Sequence, residues 1–157
     1  DTYTESNYVQ TMIPMLKDNW AKIGVKVEPN VIDFNSLVEK VYTNRDFDMY
    51  NMAWSLTVDP DCYELFHSSE DIPDGNNAMG FRNKENDELL VEARKEFDFE
   101  KRKALTQKSV KLVNEELPYM FLTMNINWDV NSKRVKGMDT SPFVNWAMIA
   151  DKIELVK

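Results

Sequence analysis

A single cysteine, Cys62, and a single histidine, His67, stand among 157 residues. One thiol excludes an internal disulfide, and one imidazole argues against a histidine-based metal site or a nucleophilic triad. Positive charge is scarce as well: 19 Lys and Arg face 27 Asp and Glu, for a net charge of −8. No basic stripe is present to neutralise phosphates, which argues against a nucleic-acid partner. A long basic membrane-surface helix is also missing. No apolar run approaches the ~18 residues of a membrane-crossing helix. Without a Gly-x-Ser-x-Gly elbow, Phe66-His67-Ser68-Ser69 does not read as a hydrolase site. There are no internal repeats and no low-complexity segments.

What is there is ordinary globular material, 43% hydrophobic and 29% charged, long enough for one domain with a core. Val9, Met12, Ile13, Leu16, Trp20 and Ile23 recur at helical spacing. Thr4 or Ser6 can cap that helix, Pro14 interrupts it, and Gly24 fits its C-terminal stop. Ile23, Val25 and Val27 then alternate with polar residues, a strand stopped at Pro29. Phe34, Leu37, Val38, Val41 and Tyr42 mark a second helix, with Asp33 or Asn35 as cap. Phe47 to Trp54 reads as a strand, and residues 55–80 as a long loop with turns at Pro60, Pro73 and Asp74-Gly75. A helix opens at Asn83 or Asn86, and Asp98 caps another that ends before Pro118. Tyr119 to Met124 reads as a strand buried on both faces, and Lys152 to Val156 as a short strand. This alternation predicts an α/β fold with a parallel or mixed sheet flanked by helices.

The stretch from Asp46 to Asp61 carries the strongest functional signal. Its alternating run ends in Trp54 and enters an acidic loop, Asp59-Pro60-Asp61. Ligands in α/β sheets bind beyond the carboxyl ends of strands. An indole there can be a stacking wall for a ligand, or a plain rim residue. Asp59 and Asp61 can meet a cationic group, or be solvated turn carboxylates. Asn77, in a Gly-Asn-Asn turn, has a structural reading beside that of a ligand contact. Met79 can line a permissive pocket, since methionine adapts to varied shapes. Calcium ligation by Asp59 and Asp61 lacks the further ligands it needs, and no metal site or cofactor is expected.

The same stretch resembles a motif of the family-5 extracellular solute-binding proteins, receptors for oligopeptides and dipeptides that feed ABC importers. Other pieces are similar in the same order: Ile23-Gly24-Val25-Lys26-Val27, Asn77 to Asn83, Asp87 to Ala93, Lys101-Arg102-Lys103, Glu116-Leu117-Pro118 and Val135-Lys136-Gly137. The resemblance implies a non-enzymatic binding component. Residues 1–157 would be the C-terminal ligand-binding lobe, of the type II periplasmic-binding-protein-like fold, excised from a larger multi-lobe receptor. The implied partners are an oligopeptide ligand, the remaining lobes and the membrane permease of an ABC importer. The implied location is extracellular or periplasmic, with a lipid anchor in sequence outside this chain.

The implied ligand-binding residues are Trp54, Thr57, Asp59, Asn77 and Met79. One departs from the pattern. Typical members carry, three residues after the Trp, an Asp that pairs with the peptide α-ammonium; here that position is Thr57. Either Asp59 takes over, or the ligand is not held by a free amine in this way. Two alternatives stay open: a non-peptide solute such as an oligosaccharide or metal chelate, and a secreted hydrolase using Asp59 and Asp61.

Overall fold

Asp33, Asn83 and Asp98 decide where three helices begin. Each is extended, and each side chain accepts from a backbone N–H three residues on: Ser36, Asn86 and Lys101. That is how the orphan donors of a first turn are satisfied. The computed structural model describes residues 1–4, 7–55, 59, 61–124, 128, 130–141 and 144–156. It divides into two compact units, Asp1–Ser55 with Asp61–Tyr119, and Leu56–Pro60 with Met120–Lys157.

The first unit begins with β1 (Thr2–Tyr3), which pairs in parallel with β2 (Val31–Ile32) in the register Thr2 to Val31. Helix α1 (Asn7–Ala21) crosses between them with Pro14 inside it. Gly24, at φ +84°, ends the turn that follows it, where an L side chain would be strained. Helix α2 (Phe34–Val38) widens into a π-type turn over Glu39–Thr43. Arg45 then takes a left-handed conformation at φ 51° and redirects the chain. Leu37, Val41, Tyr42 and Ala78 form one buried cluster, against which Tyr3, Ile32, Phe47, Tyr50 and Met52 pack.

A second cluster joins Leu65 and Phe66 of α3 (Tyr63–Phe66) to Phe81, Leu90 of α4 (Lys84–Lys95) and Val113 of α5 (Phe99–Glu116). Asn86 is fully buried inside this packing. Its Nδ2 donates to Phe66 O at 3.0 Å, and its Oδ1 accepts from Ser109 Oγ at 2.6 Å. One amide therefore ties three helices together without an unmet polar atom. Leu117, at φ 53°, closes α5 one residue before Pro118.

In the second unit β3 (Val135–Lys136) pairs antiparallel with β4 (Glu154–Leu155), after a short 3₁₀ stretch at Trp146–Lys152. Gly137, at φ +75°, lies so close to Lys152 O that a Cβ would sit 1.9 Å from it.

The chain is α/β as expected, with smaller sheets than its alternation suggested. Residues 25–30 are irregular. The expected strand from Phe47 to Trp54 is irregular, with a bend at Asp48, and is tied down by bonds of Asp1 N to Met49 O and Asn51 N to Asp1 O. The expected buried strand from Tyr119 is likewise unladdered over its described residues. Met120, Leu122 and Met124 are exposed, Met124 at 87%. Alternation supplies side chains for two faces, but a ladder also needs a neighbour with free N–H and C=O groups. Among the described residues neither segment has one along its length.

Candidate functional site around Trp54

Trp54 is 38% exposed near the end of the first unit's leading segment, Asp1–Ser55. Behind it stands a row of phenols. Tyr42 meets the indole edge-to-face at 6.2 Å and 79°, and Tyr50 meets Tyr42 at 6.4 Å and 66°. The Tyr50 and Tyr119 hydroxyls lie 3.5 Å apart. Tyr119 in turn packs edge-to-face on Phe66 at 5.2 Å. The row thus spans both buried clusters and holds Trp54 at its outer end.

Burial raises all three phenol pKa values. Tyr42 is pushed up to about 12. Tyr50 is raised by burial, with Tyr119 and Tyr42 adding to it. At Tyr119 burial is partly offset by the hydrogen bonds of Tyr50 and Trp54. The row is neutral at physiological pH and offers no proton donor or acceptor that titrates there.

The other expected site residues divide sharply. Asp59 is exposed and falls in the second unit. Thr57 lies outside the described residues. Asp61 is engaged: its Oδ1 accepts from Tyr63 N at 3.0 Å, and its Oδ2 pairs with Arg94 at 2.7 Å. Burial works to raise its pKa, but the Arg94 bond, the Tyr63 amide and the Arg94 charge outweigh it and lower it. Arg94 also lies 3.8 Å over the Tyr63 ring, which stacks on His67 at 4.1 Å. His67 Nδ1 accepts from Ser69 N at 3.0 Å, so the imidazole caps the turn at Ser68–Glu70.

Asn77 is fully buried. Its Nδ2 donates to His67 O at 3.1 Å and Phe81 O at 2.8 Å, while its Oδ1 accepts from Phe81 N at 3.0 Å. Both amide protons are used, which leaves no donor to turn outward. Asn77 thereby clamps the loop in which Met79 sits half-buried. Asp71 closes the same region between Arg45 and Arg82, with the Arg82 Nε at 2.7 Å.

Sequence reasoning missed the phenol row. Tyr42 and Tyr50 are close enough in sequence for the helix and the alternating run to hint at a shared core. Tyr119 comes from 69 residues beyond Tyr50 (119 − 50), a pairing no local pattern carries. Arg94 as the partner of Asp61 was equally invisible.

Comparison with known proteins supplies the class. Residues 1–77 match the model of the bacterial extracellular solute-binding proteins, family 5 Middle. The chain is 30% identical over 129 residues to the oligopeptide-binding protein AppA of Bacillus subtilis, covering 82% of this chain and 24% of that one. It is 25% identical over 133 residues to a dipeptide-binding protein of Pseudomonas aeruginosa, covering 84% of this chain and 25% of that one. The structure of AppA in complex with a nonapeptide superposes with a TM-score of 0.74 at 28% identity, over 99% of this chain and 31% of that one. HbpA2 from Haemophilus parasuis has the same fold, with a TM-score of 0.82 at 22% identity over 99% of this chain and 32% of that one.

This chain belongs to the family-5 bacterial extracellular solute-binding proteins. It spans about a quarter of the length of the curated relatives it matches.

Proposed function

We propose that this chain is the C-terminal ligand-binding lobe of a longer receptor that delivers oligopeptides to the membrane permease of an ABC importer. The observation that carries this reading is Trp54: an indole backed edge-to-face by Tyr42 with more than a third of its surface open. Its setting is a fold shared with peptide-binding proteins. Trp54 is the wall on which a peptide side chain or backbone stacks. Thr57 and Asp59, which follow it in sequence, are the polar contacts, and Met79 is an adaptable apolar one. Asn77 contributes by holding the Met79 loop in shape. The remaining lobes supply the opposite wall, and hinge closure buries the ligand. The protein binds and does not catalyse: Asp61 is held ionised by Arg94, a poor state for a general acid. The receptor works outside the cytoplasmic membrane, anchored by lipid through sequence outside this chain.

Native mass spectrometry of the natural full-length polypeptide, purified gently without added ligand, tests the ligand class. A ladder of co-purifying peptide masses is expected. A bare protein, or a co-purifying solute that is not a peptide, overturns the oligopeptide reading. Labelling growing cells with a radioactive fatty acid tests the anchor, which fails if the purified polypeptide carries no label.

A further inference from the structure

Trp54 and the loop that carries Met79 are far apart in sequence, yet both are fastened to one short stretch of chain. Helix α2 widens there into the π-type turn at Glu39–Thr43, closed by Asn44 N donating to Glu39 O at 2.9 Å. Such widened turns are rare and recur at functional sites. Tyr42 sits in this turn and is buried. Its ring stands at 79° to the Trp54 indole, with centroids 6.2 Å apart, a favourable aromatic geometry. Its main-chain carbonyl accepts from Asp74 N at 3.1 Å. Its side chain shares a buried cluster with Ala78, the neighbour of Met79.

The residues that follow Tyr42 strengthen the attachment to the loop. Thr43 Oγ1 donates to Asp74 Oδ1 at 2.7 Å. Arg45 Nη2 donates to Ile72 O at 2.7 Å, and the same guanidinium pairs with Asp71. Asp74 is left-handed at φ 60°, and Gly75 lies so near Glu70 O that a Cβ would collide with it. The loop is therefore bent sharply at one point and bonded to the turn at that bend.

We propose that Tyr42 is a positioning residue that couples the two contacts: its ring orients Trp54, while its carbonyl and its cluster set the loop of Met79. The proposal rests on the ligand-binding reading of Trp54 and Met79 given above. Groups packed on one buried side chain do not relax independently, because a close-packed interior transmits strain. A ligand group that shifts Trp54 thus also shifts the loop, and the reverse holds because coupling between sites is reciprocal. The two contacts recognise a ligand as one unit and not as two separate subsites.

The test uses the natural full-length polypeptide labelled with 5-fluorotryptophan, the Trp54 line being assigned by its loss in Trp54→Phe. Tyr42→Leu removes the ring. Tyr42→Phe keeps the ring and removes only the hydroxyl, which donates to Met52 Sδ at 3.6 Å. Thr43→Val removes the side-chain donor to Asp74. By fluorine NMR without ligand, the Trp54 line is expected to move in Tyr42→Leu, to move less in Thr43→Val, and to return to its wild-type place in Tyr42→Phe. Uptake of a tryptic digest of casein is then titrated by native mass spectrometry. It is expected to weaken about fivefold in Tyr42→Leu, the scale of a lost aromatic pair, and about twofold in Thr43→Val, with Tyr42→Phe restoring it.

A Trp54 line that stays in place in Thr43→Val overturns the coupling. A moved line with unweakened uptake overturns the positioning role. If Tyr42→Leu does not fold, Thr43→Val decides both points. Asp98→Ala, which loosens the start of α5, guards against general destabilisation and is expected to leave the Trp54 line unmoved. A shift there as large as in Thr43→Val overturns the specific link. A wild type that takes up no peptide sinks the peptide reading, while the fluorine lines still report whether Tyr42 and the loop hold Trp54.

Discussion

The loop from Asp61 to Asn83 and the segment ending at Trp54 both carry family motifs, the one polar and turn-rich, the other alternating and aromatic. In the structure they do opposite things. The loop turns its polar groups inward: Asn77 to the backbone of His67 and Phe81, Asp71 to Arg45 and Arg82, and Asp61 to Arg94. The segment leaves Trp54 more than a third exposed, backed edge-to-face by Tyr42. A motif residue with every hydrogen-bond position taken specifies shape. One that is backed by a ring and still partly open is available for a ligand.

Substitutions can break that contrast. The largest effect on stability is expected from Asn77→Ala, which removes three hydrogen bonds and leaves the buried Phe81 carbonyl and amide unmet. At ~1 kcal/mol or more for each bond, the loss is about 3–4 kcal/mol, read as a lower urea midpoint at unchanged m-value. Trp54→Ala should reverse the balance: about 1–2 kcal/mol of stability, but more than tenfold in ligand affinity by calorimetry, as truncated aromatic anchors give. A Trp54→Ala protein that unfolds as readily as Asn77→Ala would erase the distinction.

Acid sharpens the comparison. Burial tends to raise the pKa of Asp71, but Arg45 and Arg82 lower it below the ordinary value of 3.8. A carboxylate with a depressed folded value contributes stability above pH 3.8 and loses it as pH falls through the folded pKa. Asp61 behaves in the same sense. Urea midpoints of the wild type should therefore fall between about pH 4 and pH 2. They should fall less in Asp71→Asn, which is already weakened at neutral pH. Identical pH profiles would remove the two-arginine clamp from the account. The smallest effect is expected far from both regions. Asp98→Ala deletes a helix cap and costs ~1 kcal/mol in the same assay, without altering ligand affinity.

Much of the helical part was legible because its determinants are local. Asp33, Asn83 and Asp98 sit three residues from the amides they satisfy, and Gly24 stands at the one positive φ after α1. The strands were not, since alternating segments at 47–54 and 119–124 acquire ladders only from neighbours that local sequence does not name. The candidate site was half legible. Trp54 was identifiable from its place at the end of an alternating run. Asn77 was weighed as a ligand contact, and burial against His67 and Phe81 gave it a different task.

The sequence by itself determined the helix starts and stops, the acidic character, the absence of a histidine-based metal set and the family. All of these follow from residue type and short spacing. Only the tertiary structure decided which polar groups face inward. Tertiary structure alone likewise brought Tyr119 to Tyr50 across 69 residues (119 − 50). Such pairings depend on packing two clusters against one row of rings, and packing is a property of the whole chain.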